Sequence, residues 1–229
     1  MLLTVLTSSC RKLMEIRQTR WLRYEQAATS ISMPMLIILV FWRAALFARF
    51  GLHAPSNGTV VTSLLISTLS VSSAEPGTML RHVHDFVRDR LATDGFFFTM
   101  AAVRFSIRGR RANFAAAGHP PAMLLSNGVV RLLDSQNGIL GCLSEIAPSE
   151  SANEIELTSG DRFILYTDGL IEVFNTQEEM LGIEGFSQLV LDAASLTPPK
   201  MRQAIIDGVA AWSHGPLADD VSLVIAEIR

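Results

Sequence analysis

FILYTDGLIEVF, residues 163–174, runs an apolar strand straight into a carboxylate. Phe163, Ile164, Leu165 and Tyr166 read as a buried strand. Asp168 and Gly169 follow, and then a second apolar run. An Asp-Gly pair so placed reads first as a tight hairpin turn, with Asp accepting local backbone hydrogen bonds. A second acidic pair, Asp219-Asp220 in GPLADDVSLVIAEI, stands just before the last apolar run. Its plain reading is a solvated loop. Yet adjacent carboxylates held against a hydrophobic strand repel each other unless a cation lies beside them. Hard divalent ions take carboxylate and water oxygens, often from few protein ligands. Two acids distant in sequence, each at a strand end, are therefore candidates for one metal site.

Working outward, EPGTMLRHVHDFVRDRLATDG reads as a helix that starts at Pro76-Gly77 and ends by Gly95. Met79, Leu80, Val83, Phe86, Val87 and Leu91 share one face at helical spacing. His82 and His84, two apart, cannot share a face and are expected on the surface. FFFTMAAVRFSI (96–107) and RANFAAAG (111–118) form a hairpin around Gly109. PAMLLS and VVRLL flank Asn127-Gly128, the strongest short hairpin signal. NEIEL (153–157) alternates, with Ile155 and Leu157 inward. Helices are expected at about 183–194 and 199–212, and VSLVIAEI closes the chain as a strand. Helix, antiparallel strands, two helices and one strand predict an α+β domain with helices on sheet faces.

Residues 1 to about 75 differ in character. Arg11, Lys12, Arg17, Arg20 and Arg23 crowd the start against only Glu15 and Glu25, and 8–28 looks helical and basic. An apolar stretch runs from Met33 to Trp42 and continues to Phe50, interrupted by Arg43 and Arg49. A spanning helix needs about 20 apolar residues. An arginine near its centre costs about 2.5–3.5 kcal/mol on insertion scales. A membrane span over 31–52 is thus expected to be impaired. The run 59–71 is short and suits a core element better. Were both to insert as a hairpin, the basic start would lie in the cytoplasm, and the later domain with it. No secretory signal pattern stands at the start. The division is 1–75, a basic and apolar helical segment, and 76–229, a separate domain.

For the whole chain of 229 residues, the hydrophobic fraction is 49%, the charged fraction 18% and the mean hydropathy +0.32, which is apolar enough to direct that search for a span. A net charge of -3 argues against a general nucleic-acid binder. Cys10 and Cys142 lie far apart, in no metal-ligand spacing, and read as separate thiols.

Several motifs together resemble the metal-dependent protein phosphatase (PP2C) family, in its bacterial SpoIIE/RsbU-like serine/threonine branch. They are FTMAAVRFSIRGRRANFAAAGHPPAMLLSNGVVRLL, NGILG, LTSGDRFILYTDGLIEVFN and LADDVSLVIAEI. The likeness covers roughly 76–229. It implies a β-sandwich of antiparallel sheets flanked by helices, here partial and preceded by an apolar helical segment. It implies a pair of Mn²⁺ or Mg²⁺ ions that activate a water to attack phosphoserine or phosphothreonine. Asp168 resembles a metal-ligating aspartate and Asp219 the last one. Asp220 would support the site, and Gly169 would let the backbone pass close to the ions. His119 in AGHPP is expected to hold the turn before Pro120 and Pro121. The implied partner is a phosphoprotein such as an anti-sigma-factor antagonist. Residues 11–73 also bear a weak likeness to bestrophin-like bacterial membrane proteins, which carries no activity.

The chain departs from the phosphatase pattern upstream. Two acidic motifs of the family, GD-x-[YF]-D and GD-[VI]-SGHG, have no counterpart, and Asp85, Asp89 and Asp94 match no ligand motif. Half of the metal shell and several strands are therefore expected to be absent, and activity impaired. The alternatives are a non-catalytic, membrane-tethered phosphatase-like binding module, or a membrane protein whose tail keeps phosphatase strands.

Overall fold

The computed structural model describes residues 3–10, 35–41, 75–91, 99–106, 110–140, 153–215, 217 and 221–229. The elements are β1 (Leu3–Cys10), β2 (Met35–Phe41), α1 (Pro76–Leu91), β3 (Thr99–Ser106), β4 (Arg111–Ala117), β5 (Ala122–Ser126) and β6 (Val129–Leu133). They continue with β7 (Asn153–Glu156), β8 (Arg162–Tyr166), a 3-10 turn (Asp168–Leu170), α2 (Gly182–Asp192), α3 (Pro198–Trp212) and β9 (Val221–Ile228). Two antiparallel sheets result, one of order β1-β9-β8-β5-β6 and one of order β2-β3-β4-β7. The chain divides into two compact units, 1–31 with 120–133 and 158–229, and 32–119 with 134–157.

In the five-stranded unit, side chains alternate along β8 and β9 as the pleat requires. Ile164, Tyr166, Leu223 and Ile225 join the core formed with Phe186, Val190, Met201, Ile205 and Val209 of α2 and α3. Phe163, Leu165, Val224 and Ala226 are buried as well, so both strands are apolar on both faces. Full burial of such side chains stabilises by about 1.5–3 kcal/mol each. Pro198 opens α3, where a missing N–H costs nothing. Arg162 ties this unit together. Its Nε donates to Glu227 Oε2 at 3.0 Å and its Nη1 to the Ala194 carbonyl at 2.9 Å, with both ion-pair side chains only 12% exposed.

In the four-stranded unit, α1 lies against β3 and β4. Met79, Leu80 and Val83 are buried there as the periodicity predicts. His84 is buried too, contrary to the surface placement expected for both histidines; it lies one turn beyond Leu80, on the sheet-facing side. Glu75 joins the helix start to the sheet, accepting from Arg104 Nη1 at 2.9 Å and Asn113 Nδ2 at 2.7 Å. The β3–β4 hairpin pairs Ser106 with Arg111. In the other unit, the β5–β6 hairpin turns at Asn127 and Gly128 with φ 51° and 76°, as that turn type demands.

The helical reading of the first 75 residues is corrected where they are described. Met35–Phe41, central to the expected span, is a strand paired along its length with β3. Leu3–Cys10, which overlaps the start of the expected basic helix, is a strand paired with β9. The apolar run is rich in Ile, Leu and Val, and a paired edge satisfies its backbone at far lower cost than a span carrying two arginines. These two strands also lengthen the sheets beyond the partial set expected. Among the described residues no helix is long and apolar enough to cross a membrane. Residues 11–34 and 42–74 lie outside the described set, and with them the remainder of 31–52.

Candidate metal centre

β8 remains extended through Thr167, at φ -84° and ψ 159°, and the chain then turns at once into the 3-10 turn. The Asp168 carbonyl accepts from Ile171 N and Glu172 N, both at 2.8 Å. Asp168 is half-buried and Gly169 and Leu170 are buried. Neither Asp168 nor Gly169 has a positive φ. The tight Asp-Gly hairpin is therefore not what forms, since that turn needs left-handed residues. Nor does the run after Gly169 form a strand alongside β8. It continues as an irregular strap in which Phe174 bridges Met180 and Leu181 N donates to the Val173 carbonyl at 2.8 Å. The backbone at Gly169 makes no left-handed demand for glycine.

Thr167 fixes the end of β8 against the start of β9. Its N–H donates to the Ser222 carbonyl at 3.0 Å, and its Oγ1 accepts from Ser222 N at 2.8 Å. The ladder pairs Tyr166 with Leu223 just before it. So the residue after Thr167 is an aspartate, and Val221, the residue before Ser222, opens the strand that follows Asp219-Asp220. Sequence reasoning passed over Thr167; its signal was a polar side chain closing an apolar strand. Asp219 and Asp220 themselves lie outside the described residues.

His119 belongs to the four-stranded unit and is buried. It follows Gly118, whose φ is +59° and whose N–H donates to the Asn137 carbonyl at 2.9 Å. Asn137 in turn donates from its backbone N and its Nδ2 to the Ala116 carbonyl at 3.2 and 3.0 Å. The NGILG segment thus clamps the AGHPP segment. A Cβ on Gly118 would stand 2.7 Å from Ile139 Cγ1.

Among the described residues no group of three or more His, Cys, Asp or Glu side chains could hold a metal ion. The Asp168 carboxylate offers a hard oxygen ligand at the end of β8, which suits Mg²⁺ or Mn²⁺ in chemistry but is one ligand where a site needs several. β1 and β2 contribute no acid at all. Beside the turn, Tyr166 packs its ring 4.4 Å from Phe186. Among the described residues its buried hydroxyl has no hydrogen-bond partner, and burial raises its pKa.

The sequence profile of Stage II sporulation protein E (SpoIIE) matches residues 51–229. That match takes in residues 51–73, which the bestrophin-like likeness had claimed; no comparison supports that likeness. A comparison with curated proteins finds no match. Among solved structures, the SiaA PP2C domain of Pseudomonas aeruginosa superposes with a TM-score of 0.71 at 19% identity, covering 99% of this chain and 86% of that one. The RsbU and RsbW domains of Rv1364c from Mycobacterium tuberculosis give 0.67 at 20% identity, covering 99% and 61%. The catalytic domain of the serine/threonine phosphatase PstP, in complex with 2 manganese ions, gives 0.58 at 15% identity, covering 99% and 98%. At these identities the likeness shows the fold: α+β, with antiparallel sheets flanked by helices.

Proposed function

The chain belongs to the SpoIIE family of PP2C-type serine/threonine phosphatases, and on that premise we propose that it holds a divalent cation through Asp168 and Asp219 and hydrolyses phosphoserine or phosphothreonine on a regulatory partner at a low rate. The observation that carries the reading is the end of β8. A carboxylate is delivered there by a buried strand, and Thr167 registers that strand end on Ser222, just after the second acidic pair. A ligand held on such an element keeps its geometry without ordering a loop on binding. Bound there, Mn²⁺ or Mg²⁺ would supply the activated water and charge neutralisation for attack on phosphorus. The chain's own part is to place the Asp168 carboxylate, with Asp220 beside Asp219 as support and Gly169 keeping the backbone approach open. The manganese of PstP is consistent with that choice of ion. A phosphoprotein substrate such as an anti-sigma-factor antagonist fits the RsbU-type neighbour.

A second reading has its own observation. Neither β1 nor β2 bears an acid, and the upstream aspartate motifs are missing from the sequence. Two-metal hydrolysis needs ions held about 3.5–4 Å apart by shared ligands. On this reading the chain is a phosphatase-like module that binds a partner without turning it over. One assay separates the two. Mn²⁺-dependent hydrolysis of p-nitrophenyl phosphate by the full chain is expected to be weak and to vanish in Asp168→Ala. Turnover unchanged by Asp168→Ala rejects the proposed site, and no turnover at all favours the binding module.

A further inference from the structure

We propose that the strap following the 3-10 turn is a docking surface for a partner segment that sets an aliphatic or aromatic anchor beside arginine or lysine. Three large apolar side chains are exposed together here, apart from the exposed Val129 and Leu132 of β6 and Ile139. Phe174 is 51% exposed, Met180 52% and Trp212 37%. They are neighbours. Phe174 bridges Met180 in antiparallel fashion, which sets their side chains on one face. Trp212 Nε1 donates to the Glu179 carbonyl at 3.3 Å, and His214 N donates to the Phe174 carbonyl at 2.9 Å. The end of α3 is thereby laid along both limbs of the strap.

The strap is preorganised. Asn175 Oδ1 accepts from Gln177 N at 2.8 Å and Glu179 N at 3.0 Å, and its Nδ2 donates to Glu179 Oε2 at 2.9 Å. The backbone closes the same loop, Asn175 N to the Glu179 carbonyl at 3.0 Å and Glu178 N to the Asn175 carbonyl at 3.1 Å. An apolar surface so fixed loses little freedom on binding, which is what a recognition patch needs.

Charge decides the occupant. From Ile171 to Pro199 there is no lysine or arginine, against Glu172, Glu178, Glu179, Glu184 and Asp192. Glu172, Glu178 and Glu179 lie beside Phe174 and Met180 in sequence and are exposed. Such a rim repels acidic segments and steers cationic ones. A second copy would bring the same acids against these, so a foreign cationic segment fits better. The proposal deepens the phosphatase reading, because the strap begins at Ile171, three residues after Asp168, where a phosphoprotein's flanking residues would lie. Its binding half does not depend on turnover.

The test uses the full chain and a fluorescein-labelled peptide alternating Arg with Leu, beside controls with Glu for Arg and Ala for Leu. Anisotropy is expected to show saturable binding of the first peptide only. Phe174→Ser with Met180→Ser is expected to weaken it about tenfold, the usual loss for a buried anchor. Glu178→Gln with Glu179→Gln, which spares the apolar trio, is expected to weaken it several-fold and flatten its salt dependence. Asp168→Asn is expected to leave it unchanged, so a failed phosphatase reading and a failed docking surface give different results. Equal binding by the Phe174/Met180 variant, or none by the wild-type chain, overturns the proposal. So does a dimer in sedimentation that the same substitutions disperse, since the occupant is then a second copy.

Discussion

The five-stranded and the four-stranded units differ in what they offer a cation. At the end of β8 a buried strand delivers Asp168, and Thr167 locks the register with β9. Along β2, MLIILVF pairs with all but the last residue of β3 and carries no acid. Both strands are well-formed β-structure from apolar sequence. Only the first leads into a carboxylate, Asp168. A sheet position can be filled by any sequence that satisfies the ladder and the hydrophobic pattern. A metal site needs particular side chains at that position.

The contrast can be strained from either side, and the largest effect is expected in the five-stranded unit. Arg162→Ala leaves Glu227 with Arg229, at 2.7 Å, as its one ion-pair partner among the described residues, and takes a donor from the Ala194 carbonyl. With that compensation the loss should be about 1–3 kcal/mol, read as a lowered urea midpoint. A change within error would mean that the ion pair contributes nothing to holding β8. Next comes the four-stranded unit. Gly118→Ala puts a Cβ on a left-handed backbone and against Ile139, for about 1–2 kcal/mol. Mn²⁺ binding should survive wherever that variant stays folded. Binding lost from a folded Gly118→Ala protein would show that the four-stranded unit holds ligands after all, and the contrast would break.

The smallest effect concerns Tyr166. Its buried hydroxyl has no partner among the described residues, so Tyr166→Phe should alter stability by no more than about 0.5 kcal/mol at neutral pH. The sign changes with pH. Burial raises the folded-state pKa above its ordinary value of 10.0. The unfolded chain therefore loses its proton first, and wild-type stability falls once pH exceeds about 10. Tyr166→Phe should abolish that share of the alkaline loss, measured by urea titration at high pH. An identical alkaline decline in both proteins would contradict the buried, neutral phenol.

Much of this architecture is legible in the residues. The Asn127-Gly128 hairpin, the alternation of NEIEL and the two late helices follow from turn chemistry and periodicity, and the structure places them within a residue or two. Asp168-Gly169 shows the limit. As a dipeptide it matches a hairpin turn, but the buried strand before it and the strap after it impose a 3-10 turn. The apolar run at 33–42 shows another. Local sequence cannot distinguish a membrane helix from an edge strand when the partner, β3, lies some sixty residues away. Thr167 and the strap went unread because their roles arise from Ser222 and Trp212, distant in sequence. The position of Asp168 just past the end of β8 was legible because the apolar residues before it are.

The most direct test is Mn²⁺ binding to the full chain by titration calorimetry, wild type against Asp168→Asn, with circular dichroism to confirm the fold. The account predicts a saturable site in the wild type that the substitution weakens at least about tenfold. Equal affinity in the two folded proteins would contradict it.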